Sequence, residues 1–263
     1  MNLPTRTILI TGTTSGIGFS LMKHYVSLGC RVVAVNRRED SQITSNFPSV
    51  KWECLDITSL DAVTELLVEL ARQGFSPDVF ILNAGINRTD HVGGLDFANL
   101  KKVMEINFFG VMTFVAALQS LKWQNRRILT ISSTSNIVPN PGHLGYYLSK
   151  KSLKEFFEFL AMRDHKNHYQ TVVLGPVHTN IMAGYPPLSG FQKHIFNALA
   201  VSSDTAATKI ARFVESTSVL LNYPKRAWLF YQLVRLGLYF FPFLYRGTEH
   251  PQNRPSSLEP LPQ

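Results

Sequence analysis

The chain has 263 residues, of which 45% are hydrophobic, which is enough apolar material to build one domain around a sizeable core. Its formal net charge is +8, but the basic residues are scattered and form no finger, basic zipper or aromatic-interleaved basic motif, so we expect no nucleic-acid partner. The two cysteines, Cys30 and Cys54, lie among apolar neighbours, so neither a disulfide framework nor a Cys-based metal site is expected, and a reducing, cytoplasmic compartment fits.

Short apolar runs alternate with helix-length amphipathic segments along most of the chain. The expected strands cover residues 7–11, 31–36, 50–56, 78–83, 126–132 and 170–175. The expected helices cover residues 16–29, 60–73, 96–121, 144–166 and 204–216. Because near-continuous apolar strands are typical of a sheet buried on both faces, this order predicts an α/β fold with a doubly wound parallel sheet, helices on both faces and an apolar C-terminal helical extension.

The first strand is followed by TGTTSGIG, in which Gly12, Gly16 and Gly18 precede a helical pattern. Glycines let the backbone turn sharply and approach a pyrophosphate closely, and a new helix offers free N–H groups and the positive end of its dipole. The spacing is G-x-x-x-G-x-G rather than G-x-G-x-x-G. Its place between a strand and a helix nevertheless predicts a Rossmann-type dinucleotide site.

The end of the second strand bears on which dinucleotide is bound. NAD enzymes of the Rossmann type carry an acid there, which holds the adenosine ribose. Here Asn36 takes that place and is followed by Arg37 and Arg38. Because guanidinium groups match a phosphate bidentately, this favours NADP(H) over NAD(H). The alternative is a solvated loop in which Glu39 and Asp40 partly neutralise the arginines.

With its remaining motifs the chain resembles the small, single-domain branch of the short-chain dehydrogenase/reductase family, over roughly residues 5–215. The motifs are TGTTSGIG at 11–18, Asp56 after the third strand, NAG at 83–85, Asn107 in EINFFG, ISS at 131–133, a Tyr/Lys pair, and GPVHT at 175–179. The resemblance implies a catalytic tetrad of Asn107, Ser133, Tyr146 and Lys150. Outside the resemblance, NAG is also typical of a strand-ending turn and Asn107 of a polar residue that bends a helix.

The resemblance also implies where the cofactor is held. Asp56 and Ile57 would contact the adenine, residues 83–85 would shape the floor under the cofactor, and Val177 and Thr179 would contact the nicotinamide carboxamide. With the glycine loop and the two arginines, the expected cofactor-binding residues are Gly12, Ser15, Gly16, Ile17, Gly18, Arg37, Arg38, Asp56, Ile57, Asn83, Ala84, Gly85, Tyr146, Lys150, Val177 and Thr179.

The stretch YYLSKK contains two overlapping Tyr-x-x-x-Lys pairs, and the helix register separates them. Residues four apart share a helix face, so Tyr146 and Lys150 continue into apolar residues and face the sheet. Tyr147 and Lys151 continue into charged residues on the solvated side. We therefore predict Tyr146 and Lys150 to face the cofactor, with an incidental helix pair as the alternative. The register depends on Leu153, Phe157 and Leu160 inside and on Lys154, Glu155 and Glu158 outside.

Tyr146 is predicted to be the general acid–base group. The reference pKa of a phenol is about 10, and a cation such as Lys150 one turn away lowers it toward the range in which such a group works. Ser133 would hydrogen-bond and orient the substrate oxygen. By the resemblance, Asn107 would hold a water that connects Lys150 to solvent. In reduction, hydride leaves the nicotinamide for a carbonyl carbon while Tyr146 donates the proton.

Other chemistry has less support in the sequence. His165 and His168 lie near a helix end without an H-E-x-x-H pattern, so we expect solvated histidines and no metal site. His143, shortly before Tyr146, is a candidate substrate contact, and a loop residue without that role is the alternative. A G-x-S-x-G nucleophile elbow is absent, which argues against a hydrolase.

The C-terminal part departs from the family pattern, because we find no seventh strand ending in a Gly- and Asp-containing turn. Residues 224–246 are instead apolar and basic and predict a helix, in which the central Arg235 disfavours a membrane span. With Trp228 and Tyr231 as interfacial anchors, residues 225–246 are typical of a helix lying in a membrane surface. The alternatives are a helix that packs over the substrate mouth or against another subunit.

We expect a single NADP(H)-binding catalytic domain over residues 1–223, in which residues 180–204 form an apolar substrate lid. The helix of residues 224–246 and a proline-rich, disordered tail over 247–263 follow. These expectations predict an NADP(H)-dependent carbonyl reductase or alcohol dehydrogenase for a hydrophobic ketone, aldehyde or alcohol. We expect a cytoplasmic homo-oligomer, which contacts a membrane surface if the C-terminal helix lies there. The alternative is a catalytically weak NADP(H)-binding sensor or membrane-associated scaffold on the same fold.

Overall fold

The computed structural model describes residues 6–90, 95–138, 141–179, 181 and 190–240. The expected disordered tail over 247–263, residues 241–246 of the expected C-terminal helix, and all but residue 181 of the first ten residues of the expected lid lie outside the described residues. The part of that lid that is described forms a helix and a short strand.

The strands and helices alternate along the chain as the sequence predicts. The strands are β1 (Thr7–Thr11), β2 (Arg31–Asn36), β3 (Lys51–Cys54), β4 (Val79–Leu82), β5 (Arg127–Ser133), β6 (His168–Leu174), β7 (Val177–His178), β8 (Val201–Ser202) and β9 (Leu220–Tyr223). The α-helices are α1 (Gly16–Ser27), α2 (Ser41–Asn46), α3 (Leu60–Arg72), α4 (Phe97–Met104), α5 (Gly110–Ser120), α6 (Leu144–Arg163), α7 (Gly190–Leu199), α8 (Ser203–Val214) and α9 (Lys225–Phe240).

The main sheet has seven parallel strands in the order β3-β2-β1-β4-β5-β6-β9. This confirms the predicted α/β fold with a doubly wound parallel sheet. The apolar run of β1 is continuous because successive side chains point to opposite faces of the sheet, and both faces are covered by helices. Ile8 and Ile10 are buried with α1 and α8 on one face, whereas Leu9 is buried with α3, α5 and α6 on the other.

The expectation that no seventh strand would be found is wrong. Strand β9 lies at the edge of the sheet and pairs in parallel with β6, so that Thr171 is opposite Leu220 and Leu174 is opposite Tyr223. The strand has only four residues, all partly exposed. A short edge strand of this kind carries little apolar periodicity, and here it lacks the glycine and aspartate turn by which it would be recognised.

Helices α4 and α5 are joined by a π-helical segment, Glu105–Phe109, into one continuous helix. Over Phe97–Ser120 this is the one helix among the described residues that is long and apolar enough to cross a membrane, with a mean hydropathy of 1.4. Length and composition alone do not distinguish such a helix from a core helix. Phe114 and Leu118 are fully buried in the core here, so the packing accounts for the apolar composition.

The fold brings the functional motifs to one edge of the sheet. Because the main strands are parallel, their carboxyl ends meet at the same edge, where ligands bind in open α/β sheets. The glycine loop follows β1, Asn36 ends β2, Asn83 follows β4, Ser133 ends β5 and Gly175 follows β6.

Candidate active site

A cavity of about 830 Å³ lies at the carboxyl ends of the strands. Most of the residues expected from the sequence line it, from the glycine loop at one end to the Tyr/Lys pair at the other. Those lining residues are Gly12, Ser15, Gly16, Ile17, Arg37, Arg38, Asp56, Ile57, Asn83, Ala84, Gly85, Ser133, Tyr146, Lys150, Val177 and Thr179. Two expected residues, Gly18 and Asn107, lie behind the wall instead.

The glycine loop is closely packed where it turns from β1 into α1. Gly12 has φ +73°, and a Cβ there would lie 2.9 Å from the Cα of Ala84, so both the conformation and the space require glycine. A Cβ on Gly18 would lie 2.0 Å from the Gly12 oxygen. Gly18 therefore allows the helix to pack against the loop, and it does not line the cavity.

The start of α1 is suited to an anion. Ser15 is the N-cap residue, and its side chain makes no capping hydrogen bond to the first turn, which also contains no acid. The N–H groups of a first helical turn have no partner within the helix, and the helix dipole adds partial positive charge there. A phosphate at this point of the cavity would therefore find donors already directed at it.

Asn36 ties the end of β2 to the glycine loop. Its Oδ1 accepts a hydrogen bond from the Thr13 backbone N–H at 2.7 Å, and its Nδ2 donates to the Thr13 hydroxyl at 3.0 Å. The amide that stands where NAD enzymes carry an acid is thus buried and satisfied within the loop. The next residues, Arg37 and Arg38, are exposed at the rim of the cavity.

Asp56 and Lys102 complete this end of the cavity. The Thr58 N–H and hydroxyl donate to the Asp56 carboxylate at 2.9 and 2.8 Å, and these bonds, helped by the positive charges of Lys102 and Arg37, lower the pKa of Asp56. Lys102 lines the cavity and was not expected from the sequence. In the sequence it is an ordinary lysine on an exposed helix face, so no signal there would have identified it.

The NAG segment braces the glycine loop from below. The Asn83 side chain donates to the backbone oxygens of Thr11 and Gly12, each at 3.0 Å, and the Ala84 N–H donates to the Thr11 hydroxyl at 2.9 Å. These bonds hold the segment against the loop that it faces. Asn83, Ala84 and Gly85 all line the cavity.

Asn107 lies in the π-helical segment and is completely buried. Its Oδ1 accepts from the Ile86 N–H at 2.7 Å, while its Nδ2 donates to the Ile86 oxygen at 2.8 Å and to the Ser149 hydroxyl at 3.1 Å. A π-helical turn is often found at functional sites. Here it directs one polar side chain between the segment after NAG and helix α6.

The two Tyr/Lys pairs lie in different surroundings. Lys150 is buried, its Nζ donates to the Ile131 oxygen at 2.8 Å and lies 5.6 Å from the centre of the Tyr146 ring, and burial lowers the pKa of Lys150 to about 8. Lys151 is exposed and donates to the Tyr147 hydroxyl at 3.4 Å. Tyr146 and Lys150 line the cavity. The buried side chains of Leu153, Phe157 and Leu160 confirm the predicted register of α6.

Ser133 lies at the end of β5, where the chain leaves the sheet. Its hydroxyl caps the 3-10 turn Thr134–Asn136 by accepting from the Ser135 N–H at 3.1 Å, and it donates to the Ser135 hydroxyl at the same distance. Ser133, Tyr146 and Lys150 all line the same cavity. Together they can hold an oxygen atom, move a proton to or from it and stabilise the charge that results.

Helix α9 contributes Tyr231 to the wall of this cavity, a role for Tyr231 that sequence reasoning missed. Tyr231, expected as an interfacial anchor, lines the cavity instead, as do Ile181 and Phe196 from the expected lid. This position of Tyr231 agrees with a C-terminal helix that packs beside the substrate site, one of the alternatives left open by the sequence. The candidate substrate contact His143 is buried beside residues 87 and 88, with its Nδ1 3.1 Å from the Asn87 Oδ1.

Among curated proteins, the 3-oxoacyl-[acyl-carrier-protein] reductase FabG of Buchnera aphidicola subsp. Acyrthosiphon pisum (strain APS) is 28% identical over 171 residues, which are 62% of this chain and 68% of that protein. Two further curated relatives are matched over 54% and 58% of their length. The chain thus spans between about half and two thirds of the length of these relatives.

Two solved structures share the fold. A 3-ketoacyl-(acyl-carrier-protein) reductase from Brucella melitensis complexed with NADH has a TM-score of 0.70 at 21% identity, covering 83% of this chain and 96% of its own. A short chain dehydrogenase from Burkholderia cenocepacia J2315 in complex with NADP has a TM-score of 0.69 at 22% identity, covering 95% and 100%. The family model of the short chain dehydrogenases matches residues 6–187, which is more than half of the chain. The chain therefore belongs to the short chain dehydrogenase family of oxidoreductases.

Proposed function

We propose that the protein is an NADP(H)-dependent carbonyl reductase or alcohol dehydrogenase that acts on a hydrophobic ketone, aldehyde or alcohol. The observation that carries this proposal is that Ser133, Tyr146 and Lys150 line one cavity with the glycine loop. In domain terms, the proposal assigns residues 1–223 to the catalytic domain, with its lid at 180–204, residues 224–246 to the helical extension, and 247–263 to a disordered tail.

The cavity suits a nicotinamide dinucleotide by its own geometry. Gly12 leaves no room for a side chain beside Ala84, and the first turn of α1 offers N–H groups for a pyrophosphate. In the proposal, Asp56 and Ile57 contact the adenine, and Val177 and Thr179 contact the carboxamide. When bound, the cofactor supplies or accepts the hydride.

The remaining chemistry belongs to side chains of the protein. Tyr146 donates the proton to the substrate oxygen in reduction and accepts it in oxidation. The Lys150 ammonium stabilises the phenolate that Tyr146 becomes, because the two groups are neighbours in a buried site. The Ser133 hydroxyl donates to the substrate oxygen and orients it. Asn107 is a positioning residue through its bonds to Ile86 and Ser149, and the water that the resemblance places between it and Lys150 is part of the same proposal.

The preference for NADP(H) over NAD(H) is supported by charge at the rim of the cavity. Arg37, Arg38 and Lys102 line this end, and Asn36 presents an amide that is already bonded to Thr13. At the last residue of β2 a 2′-phosphate would therefore meet an amide in place of a carboxylate, with three cations beside it. Glu39 and Asp40 also line the cavity and offset part of this positive charge. Both NADH and NADP occur in the solved relatives described above, so the choice rests on these residues.

The proposed reaction predicts different effects for the two adjacent tyrosines. Tyr146→Phe removes the proton donor and should lower kcat by about a hundredfold or more, whereas Tyr147→Phe should leave it nearly unchanged. The assay is NADPH absorbance with a panel of apolar ketones and aldehydes, and NADPH binding to each variant is measured by fluorescence. Full turnover by Tyr146→Phe would refute the mechanism. NADPH binding without turnover of any carbonyl by the wild-type protein would favour the sensor or scaffold.

We also propose that residues 225–246 contact an anionic membrane surface. Leu229, Leu233 and Leu236 are exposed and recur at i, i+4 and i+7, so they share the outer face of α9. Residues 216–248 contain no Asp or Glu, and their basic residues are Lys225, Arg226, Arg235 and Arg246. An apolar helix face beside basic residues is typical of a helix that rests on anionic lipid.

The membrane contact predicts a specific loss of binding. Leu233→Asp should reduce co-sedimentation with vesicles of phosphatidylcholine and phosphatidylserine, because it places a charge in the apolar face. The matched control is Leu28→Asp, since Leu28 is 63% exposed and Leu233 is 60% exposed. Equal sedimentation of the two variants would contradict the proposal.

We propose a homo-oligomer as well, supported by exposed apolar side chains of Phe109, Phe159 and Met162 on neighbouring helices. Light scattering tests it, and a monomeric mass would refute it.

A further inference from the structure

The start of α9 is fixed at the reaction end of the cavity. Gly175 follows β6, and its N–H donates to the Tyr223 oxygen at 2.8 Å. A Cβ on Gly175 would lie only 2.6 Å from the Cβ of Ala227, which is fully buried. The Arg226 guanidinium donates to the Ala200 oxygen at 3.2 Å. Helix α9 is therefore held directly against the loop in which the proposed nicotinamide contacts lie.

One turn further along the same face, Tyr231 lines the cavity that contains Ser133 and Tyr146. The Thr134 side chain lies close enough to the Tyr231 hydroxyl to lower the pKa of Tyr231 slightly, against the larger rise that burial causes. Thr134 is the residue directly after Ser133 and is itself buried. The ring and the hydroxyl of Tyr231 thus have separate neighbours, the cavity on one side and the Ser133 turn on the other.

Phe196 and Ile181 line the same cavity. The Phe196 ring makes an edge contact with the His178 ring, with the centroids 5.4 Å apart. His178 belongs to β7, which pairs with β8 through Val177 and Val201. Phe196 is therefore held in place by the segment that carries the proposed carboxamide contacts. Two aromatic residues on different helices, Tyr231 and Phe196, thus line the cavity.

We propose that Tyr231 is a substrate-positioning and specificity-determining residue, and that with Phe196 it selects carbonyl compounds in which the reacting group is attached to a ring. This inference rests on the proposed oxidoreductase function. Aromatic side chains bind ring faces and edges with a preference beyond the area that they bury. A flat ring held against the cavity side of the Tyr231 ring would direct its carbonyl oxygen toward Ser133 and Tyr146, whereas a linear chain gains no such orientation.

Acetophenone and 2-octanone test this preference, because they contain the same number of carbon atoms and differ in having a ring or a chain. Binding is measured by calorimetry to the complex of the protein with NADP⁺, in which a ketone is not reduced. Tyr231→Leu keeps an apolar side chain but removes the ring, and it should weaken acetophenone binding about three- to tenfold while changing 2-octanone binding little. Gln232→Ala, the next position on α9, is the control and should change neither.

Turnover with NADPH supplies the second measurement. Tyr231→Phe keeps the ring, so KM for acetophenone should stay the same, while kcat should fall severalfold because Thr134 and the Ser133 turn lose a partner. An equal loss of affinity for both ketones in Tyr231→Leu, or failure of the wild-type protein to bind acetophenone, would overturn the role of Tyr231. Preferential binding of acetophenone without turnover of it or of any carbonyl in the panel would instead overturn the proposed reaction and leave Tyr231 as a specificity residue of a binding site.

Discussion

Burial of the Lys150 ammonium predicts that the cofactor-free protein is less stable than it would be without that charge. Burial lowers the pKa of Lys150 from 10.5 to about 8. At about 1.4 kcal/mol per pKa unit, the charged form costs roughly 3 kcal/mol at neutral pH. Replacement by Met removes this cost and also removes the hydrogen bond to Ile131, which is worth about 1 kcal/mol. Lys150→Met should therefore be more stable than the wild type by about 2 kcal/mol at pH 7.

The pH dependence separates this cause from better packing. The unfolded chain keeps the Lys150 proton up to about pH 10.5, whereas the folded protein releases it near pH 8. Between these values the unfolded state binds more protons, so this group makes the wild type more stable as the pH rises. The difference in free energy of unfolding between Lys150→Met and the wild type should shrink by about 2 kcal/mol from pH 7 to pH 10. At pH 10 the folded wild type has already lost most of the charge that the variant removes.

The assay is urea unfolding of the cofactor-free protein at pH 7 and pH 10. Lys151→Met is the matched control, because Lys151 is exposed one position along the same helix. It should change the free energy of unfolding by less than about 0.5 kcal/mol at either pH. A Lys150→Met effect of the same size at both pH values would refute the reasoning, since a packing gain does not depend on the protonation of an absent group.

Other variants test the cofactor end of the cavity. Gly18→Ala should lower the free energy of unfolding by about 1–3 kcal/mol, because its Cβ would lie 2.0 Å from the Gly12 oxygen. Gly237→Ala should raise the free energy of unfolding by about 0.5–1 kcal/mol, because a Cβ there meets nothing within 4 Å. Thermal unfolding measures both, and equal effects would contradict the packing argument. Arg37→Ala should weaken the binding of NADPH far more than the binding of NADH. Asn36→Asp should also shift the preference toward NADH, because it adds a carboxylate. Fluorescence titration measures these affinities, and an equal change for both dinucleotides would refute the phosphate role.

The parts of the fold that the sequence predicts are those with strong periodicity. Continuous apolar runs predicted the five inner strands, because their side chains are buried on both faces, and they also predicted the edge strand β3. The register of α6 follows from Leu153, Phe157 and Leu160, which repeat at helical spacing toward the core. Strand β9 and Tyr231 could not be predicted in this way. Strand β9 is positioned by pairing with residues such as Thr171, and Tyr231 lies near Thr134, which is also distant in sequence. A local sequence pattern does not indicate such contacts.

The candidate site shows the same division. The glycine loop and the residues at the strand ends were predictable because parallel strands deliver their carboxyl ends to one edge. Asn107 was also expected, but its position behind the wall follows from a π-helical turn that no spacing rule indicates. Lys102 affects the pKa of Asp56 only because the fold brings α4 to the end of the cavity where Asp56 lies.

The position of α9 in the chain also affects biosynthesis. The ribosome completes all seven strands of the sheet before it reaches Lys225. A nascent polypeptide can thus assemble its glycine loop and the Tyr146 helix while the wall containing Tyr231 does not yet exist. Substrate selection should be the last property that the newly made enzyme acquires.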